Sequence, residues 1–225
     1  MRSEEKVTFG RRAFRDRVDA GRQLGELLAQ RQWERPLILG IPRGGVVVAA
    51  EVAKRLGGEL GVVVARKLRT PGQPELAMGA VTSDGTVYLE EDVIRGMAVS
   101  PAELEAERRL QMAEAAARER RYGSDWRERA RGRDVIVVDD GVATGSTAKA
   151  AVRALRKAGA RRVVVAVPVG PPSTLEELAA EADEAVALFT DPLFMAVGAY
   201  YEDFRPTTDE EVERLLKTQG PQGPG

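Results

Sequence analysis

Residues 134–150 read Asp-Val-Ile-Val-Val-Asp-Asp-Gly-Val-Ala-Thr-Gly-Ser-Thr-Ala-Lys-Ala, and this stretch limits the possible folds more tightly than any other. Val135, Ile136, Val137 and Val138 form an unbroken apolar run instead of an alternating one, as expected for a strand inside a parallel sheet covered on both faces. Two carboxylates, Asp139 and Asp140, follow at once, and then a turn of small and hydroxyl residues from Gly141 to Thr147. A helix is expected from Ser146 to about Ala158, with Gly159 as its stop.

Such a unit is a strand feeding an anion cradle. Gly145 lets the backbone approach a ligand closely. Free N–H groups of the turn and of the first helical turn converge, and the helix dipole adds positive potential there. Thr144, Ser146 and Thr147 add hydroxyl donors. The cradle fits a phosphate. The two preceding carboxylates would repel one, and suit hydroxyl groups or a Mg²⁺ ion beside it. The ligand expected from these residues is a phosphate joined to a polyol, most simply a sugar phosphate.

The rest of the composition narrows the chemistry. The 225 residues contain no cysteine and no histidine, which removes disulfides, thiolate nucleophiles, Ser-His-Asp catalysis and His-bound metals. Carboxylates, hydroxyls, Lys, Arg, Tyr, backbone amides and bound metal remain. A net charge of −1 provides no global field for nucleic acid or membrane. No run approaches the roughly 20 apolar residues of a membrane helix, and the charged start of the chain lacks an apolar signal region, so a cytoplasmic location is expected.

A second strand–glycine–helix unit precedes the first. Pro36–Ile41 reads as a buried strand, Pro42-Arg43-Gly44-Gly45 as a turn, and Val46 to about Leu56 as a helix ended by Gly57-Gly58. Gly61–Ala65 reads as a third strand leading into Arg66-Lys67, Arg161–Gly170 as a fourth and Glu184–Leu188 as a fifth. The βαβα order argues for an α/β fold, one doubly wound, mostly parallel sheet of about five strands with flanking helices. Residues 14–31 form an amphipathic helix in this reading, and the charges of Phe14–Gly21 a solvated face. Thr70–Glu75 reads as a mobile loop, and Ala77–Thr82 and Thr86–Leu89 as a hairpin around Ser83-Asp84-Gly85. Capping boxes are expected at Ser100/Glu103, Ser173/Glu176 and Thr208/Glu211. Residues 1–12 read as a polar arm or short strand, 1–217 as a single domain and 218–225 as a disordered tail.

Val135–Thr147 closely resembles the phosphoribosyl diphosphate (PRPP) signature of type I phosphoribosyltransferases: four apolar residues, two acids and a Gly/Thr-rich loop. Phe14–Gly21 is similar to the opening of an uncharacterised bacterial branch of that family. The resemblance implies a transferase that moves ribose 5-phosphate from PRPP to a nucleobase-like acceptor and releases diphosphate. It places the 5-phosphate in Ala143, Thr144, Gly145, Ser146 and Thr147, and the ribose and Mg²⁺ at Asp139 and Asp140. It places the diphosphate at Arg43, Gly44, Gly45, Arg66 and Lys67. It also implies a flexible insertion at 68–99 that closes over the site, and a small C-terminal hood at 191–217 in which Tyr200 or Tyr201 could stack on the acceptor. A homo-oligomer, most simply a dimer, is expected, and nucleic acid is not an expected partner. Ala143 stands where the 6-oxopurine branch carries an aspartate, a departure that points toward adenine-type enzymes. The rival implied by the same resemblance is a PRPP sensor without turnover.

Overall fold

A computed structural model describes residues 13–219. Its centre is a five-stranded sheet in which every neighbouring pair runs parallel, made of β1 (Leu37–Gly40), β2 (Glu59–Val62), β6 (Asp134–Val138), β7 (Arg162–Gly170) and β8 (Glu184–Thr190) in the order β2-β1-β6-β7-β8. The unbroken apolar runs are explained by two covering layers. Side chains alternate across a strand, and here both directions lead into a core. Leu37, Leu39, Val135, Val137, Val163 and Val165 pack with Trp126, Ala148, Val152, Leu155 and Leu178. Ile38, Leu60, Ile136, Val138, Val164 and Ala166 pack on the other face with Leu24, Leu28, Val48 and Val52. The first layer is built from α5 (Trp126–Ala130), α6 (Ser146–Lys157) and α7 (Pro172–Glu181), the second mainly from α1 (Arg17–Leu28) and α2 (Gly44–Leu56).

Local signals set the helix ends. Asp16 caps α1 by accepting from the Asp19 N–H at 2.8 Å. α2 stops where Gly57 turns left-handed (φ +63). The long helix α4 (Pro101–Tyr122) opens with the expected reciprocal capping box of Ser100 and Glu103. Its outer face is laced by ion pairs, as the interspersed Glu and Arg residues imply: Glu105 with Arg108 and Arg109, and Arg121 with Asp209, Glu210 and Glu213. The last helix, α8 (Asp209–Gln219), is capped reciprocally by Thr208 and Glu211.

Several expectations need correcting. The apolar run Val62–Ala65 is not one strand. β2 ends at Val62, and Ala65 already begins β3 (Ala65–Thr70) of a separate antiparallel sheet with β4 (Gln73–Thr82) and β5 (Val87–Leu89). Thr70–Glu75 is not a loop: Thr70 pairs with Gln73 across a two-residue turn, with Gly72 at φ +76. The hairpin around Ser83-Asp84-Gly85 does form, with Val81 opposite Val87 and Asp84 accepting from the Thr82 and Thr86 hydroxyls. The sequence reading also missed the short helices α3 (Glu91–Gly96) and α5. At α7 the Ser173/Glu176 box is absent, because the helix starts at Pro172, whose fixed φ suits the first helical position. Thr218 and Gln219 belong to α8, not to a tail. The arm at 1–12 and the tail beyond Gln219 lie outside the described residues. Among the described residues no helix is long and apolar enough to cross a membrane.

The segment after β8 folds over the carboxyl end of the sheet. It carries a 3-10 turn, Val197–Tyr200, and its Phe194, Tyr200, Tyr201 and Phe204 form an aromatic cluster with Phe14, which precedes α1, and Phe189 of β8.

Candidate functional site

β1 and β6 are neighbours that end side by side, Gly40 opposite Val138, and each feeds a loop and then a helix. Loops at the carboxyl edge of an open parallel sheet form its ordinary ligand crevice. Here the two loops are in direct contact. The Ile41 N–H donates to the Val138 carbonyl at 2.8 Å. A Cβ on Gly45 would lie 2.7 Å from that carbonyl oxygen and 2.8 Å from the Asp139 Cα. A Cβ on Gly44 would collide with the Asp140 carboxylate and come within 2.6 Å of Arg17 Nε. Gly45 therefore permits a backbone-to-backbone approach, and Gly44 leaves room for the Asp140 carboxylate and its arginine. The Pro42–Arg43 peptide between strand and helix is cis.

The two aspartates have different surroundings. Asp139 accepts the Asp140 backbone N–H at 2.9 Å. Burial and, next, the neighbouring Asp140 carboxylate raise its pKa well above the ordinary carboxylate range, with Lys67 acting weakly the other way. Asp140 is paired: its Oδ2 accepts from Arg17 Nε at 2.7 Å, and the two side chains are only 16% and 11% exposed. The Arg17 guanidinium lies 3.9 Å from the Phe204 ring centroid, and its Nη1 donates to the Arg205 carbonyl at 2.8 Å. One arginine thus ties the acid pair to the aromatic segment above it. The reading of Phe14–Gly21 as a solvated face is corrected here, because Arg17 turns inward.

The loop after the aspartates is held by β7 and α7. The Val142 N–H donates to the Val169 carbonyl at 3.0 Å, and the Thr174 hydroxyl to the Ala143 carbonyl at 2.6 Å. Gly145 caps α6 with φ +72 and carries the chain from loop to helix. Ala143 and Thr144 are exposed, Thr147 is half-buried and Ser146 is buried. The Ser146 hydroxyl donates to Glu90 at 2.8 Å and lies 3.0 Å from the Thr144 hydroxyl.

The cations expected at the diphosphate are divided. Arg43 is exposed beside the loop, with Nη1 3.9 Å from Asp209 of α8. Lys67 is exposed and its charge reaches Asp139. Arg66 is its neighbour on a strand and so points the other way: its Nε donates to Gln111 of α4 at 3.2 Å, away from the acid pair. The aromatic expectation also changes. Tyr201 is 1% exposed, packs between Phe14 and Phe204, and donates its hydroxyl to the Asp140 carbonyl at 2.5 Å. It supports the acid pair and leaves no face open for a stacked ligand. Tyr200 is half-buried, stacks on Phe194 at 5.5 Å and donates to Asp191 at 2.5 Å.

Among the described residues no group of three or more acidic side chains converges to hold a metal ion. The acid pair offers hard oxygens, one of them engaged by Arg17, so a Mg²⁺ held here would take most of its ligands from the substrate. Sequence reasoning missed Arg17, Glu90, Thr174 and the Tyr201 hydroxyl. Phe14–Gly21 carried the only hint of Arg17, and nothing pointed to Glu90.

Comparison with known proteins assigns the chain to a family. The sequence profile of the family described as "Phosphoribosyl transferase domain" matches residues 17–193. Two curated proteins from Mycobacterium tuberculosis, of two different strains, are each 49% identical over 205 residues, and both carry provisional phosphoribosyl transferase names. The match takes in 90% of this chain but 46% of each relative, so the chain spans about half the length of the curated relatives it matches. The crystal structure of TT1426 from Thermus thermophilus is 48% identical, covers 92% of this chain and 99% of its own, and superposes with a TM-score of 0.75. With most of its length matched by the family profile, the chain belongs to the phosphoribosyl transferase domain family.

Proposed function

We propose that the chain transfers ribose 5-phosphate from PRPP to a nucleobase-like acceptor and releases diphosphate. The observation that carries this reading is the contact between the Gly44-Gly45 loop and the Asp139-Asp140 pair. A ligand spanning both loops has an anion at each end and hydroxyls between, which is the layout of PRPP.

In this reading the 5-phosphate lies on Ala143–Thr147, the ribose hydroxyls face Asp139 and Asp140, and the diphosphate lies on Arg43–Gly45 with Lys67 near. Arg66, turned toward Gln111, is left out of the contact set. Mg²⁺, bound chiefly by diphosphate oxygens, would neutralise charge on the leaving group. The anomeric C–O bond breaks with its electron pair going to diphosphate, the acceptor's nitrogen lone pair forms the new bond to that carbon, and the N–H proton that the acceptor loses goes to solvent. Loop amides and cations stabilise the charge growing on the leaving group. The aspartates orient the ribose, and the ionised Asp140 carboxylate favours positive charge at its anomeric carbon. Arg17 fixes Asp140 while the ribose site is assembled. Ala143 in place of an aspartate favours an adenine-type acceptor.

The test is diphosphate release from PRPP and Mg²⁺ across a panel of purine and pyrimidine bases, with Asp139→Asn and Asp140→Asn as controls. Release with one base, lost in both variants whose folding is intact, is the expected result. Equal turnover in wild type and Asp139→Asn would remove the aspartate from the mechanism.

A further inference from the structure

The hydroxyls of the anion cradle do not all face outward, and the cause is a carboxylate from another sheet. Glu90 follows β5, and its N–H donates to the Met78 carbonyl at 3.0 Å. β5 is clamped along α6: Lys149, buried, sets its Nζ 3.1 Å from the Tyr88 hydroxyl, and Arg153 donates to the Val87 carbonyl at 3.3 Å. The backbone therefore holds Glu90 at one place, where its Oε1 accepts from the Ser146 hydroxyl at 2.8 Å. Among the described residues no Lys or Arg forms an ion pair with it.

A hydroxyl has one proton to give. Ser146 gives its proton to Glu90, so in the 3.0 Å contact between Thr144 and Ser146 it is Thr144 that donates. Thr144 is the exposed hydroxyl of the loop. Its proton is thus turned inward, and it shows lone pairs to the crevice. A phosphate dianion has only acceptors to offer. Both the proton direction and the negative charge of Glu90 oppose anion binding in the loop.

We infer that Glu90 is a positioning residue that holds the cradle in a weak-binding state, acting through Ser146 on Thr144. The inference rests on reading Ala143–Thr147 as the phosphate cradle. A ligand phosphate recruits the Thr144 proton only by breaking the relay, and any shift of β5 away from α6 releases it. The affinity for sugar phosphates is thereby tied to the docking of the β3–β5 sheet on the signature helix.

The experiment is calorimetric titration of the full chain with ribose 5-phosphate and with PRPP plus Mg²⁺, comparing wild type, Glu90→Gln, Glu90→Ala and Ser146→Ala. If Glu90 acts as stated, Glu90→Ala, which removes both the charge and the inward-pulling acceptor, binds both ligands about three- to tenfold more tightly, and Glu90→Gln, which removes the charge but keeps an amide oxygen that can accept from Ser146, shows a smaller gain. Ser146→Ala, which frees Thr144 but keeps the charge, gains less. A merely structural brace has the opposite sign: its loss loosens the loop and weakens binding. Wild-type binding with unchanged or weaker binding in well-folded Glu90 variants overturns the inference and leaves the cradle standing. Binding by the Glu90 variants alone supports it in its strongest form. No binding by any of the four proteins removes the cradle and the inference together.

Discussion

Arg17→Ala tests the link between the acid pair and the segment above it. The wild-type pair is 2.7 Å long, and both side chains are nearly buried. Removing one member of a buried ion pair leaves an uncompensated charge, at about 3–5 kcal/mol. Asp140 retains some solvent exposure and Asp139 can stay protonated beside it, which favours the lower end. Loss of the guanidinium over Phe204 adds about 0.5–1 kcal/mol. The expected loss is about 3 kcal/mol, or roughly 6–12 °C in Tm for a chain of this size. Asp140→Asn alone should cost about 1 kcal/mol, because Arg17 keeps its carbonyl and ring contacts. If the contact is real, the double variant is less destabilised than the sum by about 2 kcal/mol. Urea unfolding of the four proteins closes the cycle. Additivity within about 0.5 kcal/mol, or an Arg17→Ala loss under about 1 kcal/mol, would refute the claim that Arg17 holds Asp140.

Two further outcomes follow from the same site. Asp139 has a raised pKa in the fold, so above about pH 4 the unfolded chain sheds a proton that the folded chain keeps, and stability falls as pH rises toward the raised value. Asp139→Asn removes that penalty: it should be more stable than wild type at pH 7, with the gap closing toward pH 4 in urea titrations, and a pH-independent difference would contradict the assignment. Gly44→Ala pushes a methyl group into the Asp140 carboxylate, so a loss of about 1–3 kcal/mol is expected, together with weaker PRPP binding by calorimetry; a variant that matches wild type in both would show that the two loops need not touch.

The elements legible in the sequence are those with a local signature. Unbroken apolar runs mark β1, β6 and β7, because two covering layers leave no polar face to alternate. Caps and glycines mark the ends of α2, α4 and α8. The hairpin at Ser83–Gly85 is carried by its own turn residues. What was not legible depends on distance along the chain. Val62–Ala65 is apolar throughout, yet it passes from one sheet to another, and periodicity does not register which sheet buries a residue. Arg17 meets Asp140 from 123 positions away, and Glu90 meets Ser146 from 56. Such partners leave no mark in either local pattern. Arg66 and Lys67 read as a pair because they are adjacent, and adjacency on a strand is what separates them.

The placement of β6 in the sheet has a consequence for how the molecule is assembled. β6 lies between β1 and β7, and its pairing with β1 joins residues 37 and 135 across the intervening β3–β5 sheet and α4. Closing so long a loop costs entropy that only the completed contacts repay. The Gly44-Gly45 loop belongs to one side of that seam and the Asp139–Thr147 loop to the other. A chain with both halves formed but the seam open would have ordinary helices and strands and no ligand crevice. The two loops therefore meet only when the seam is closed, and a nascent chain can bring them together only after β6 has emerged.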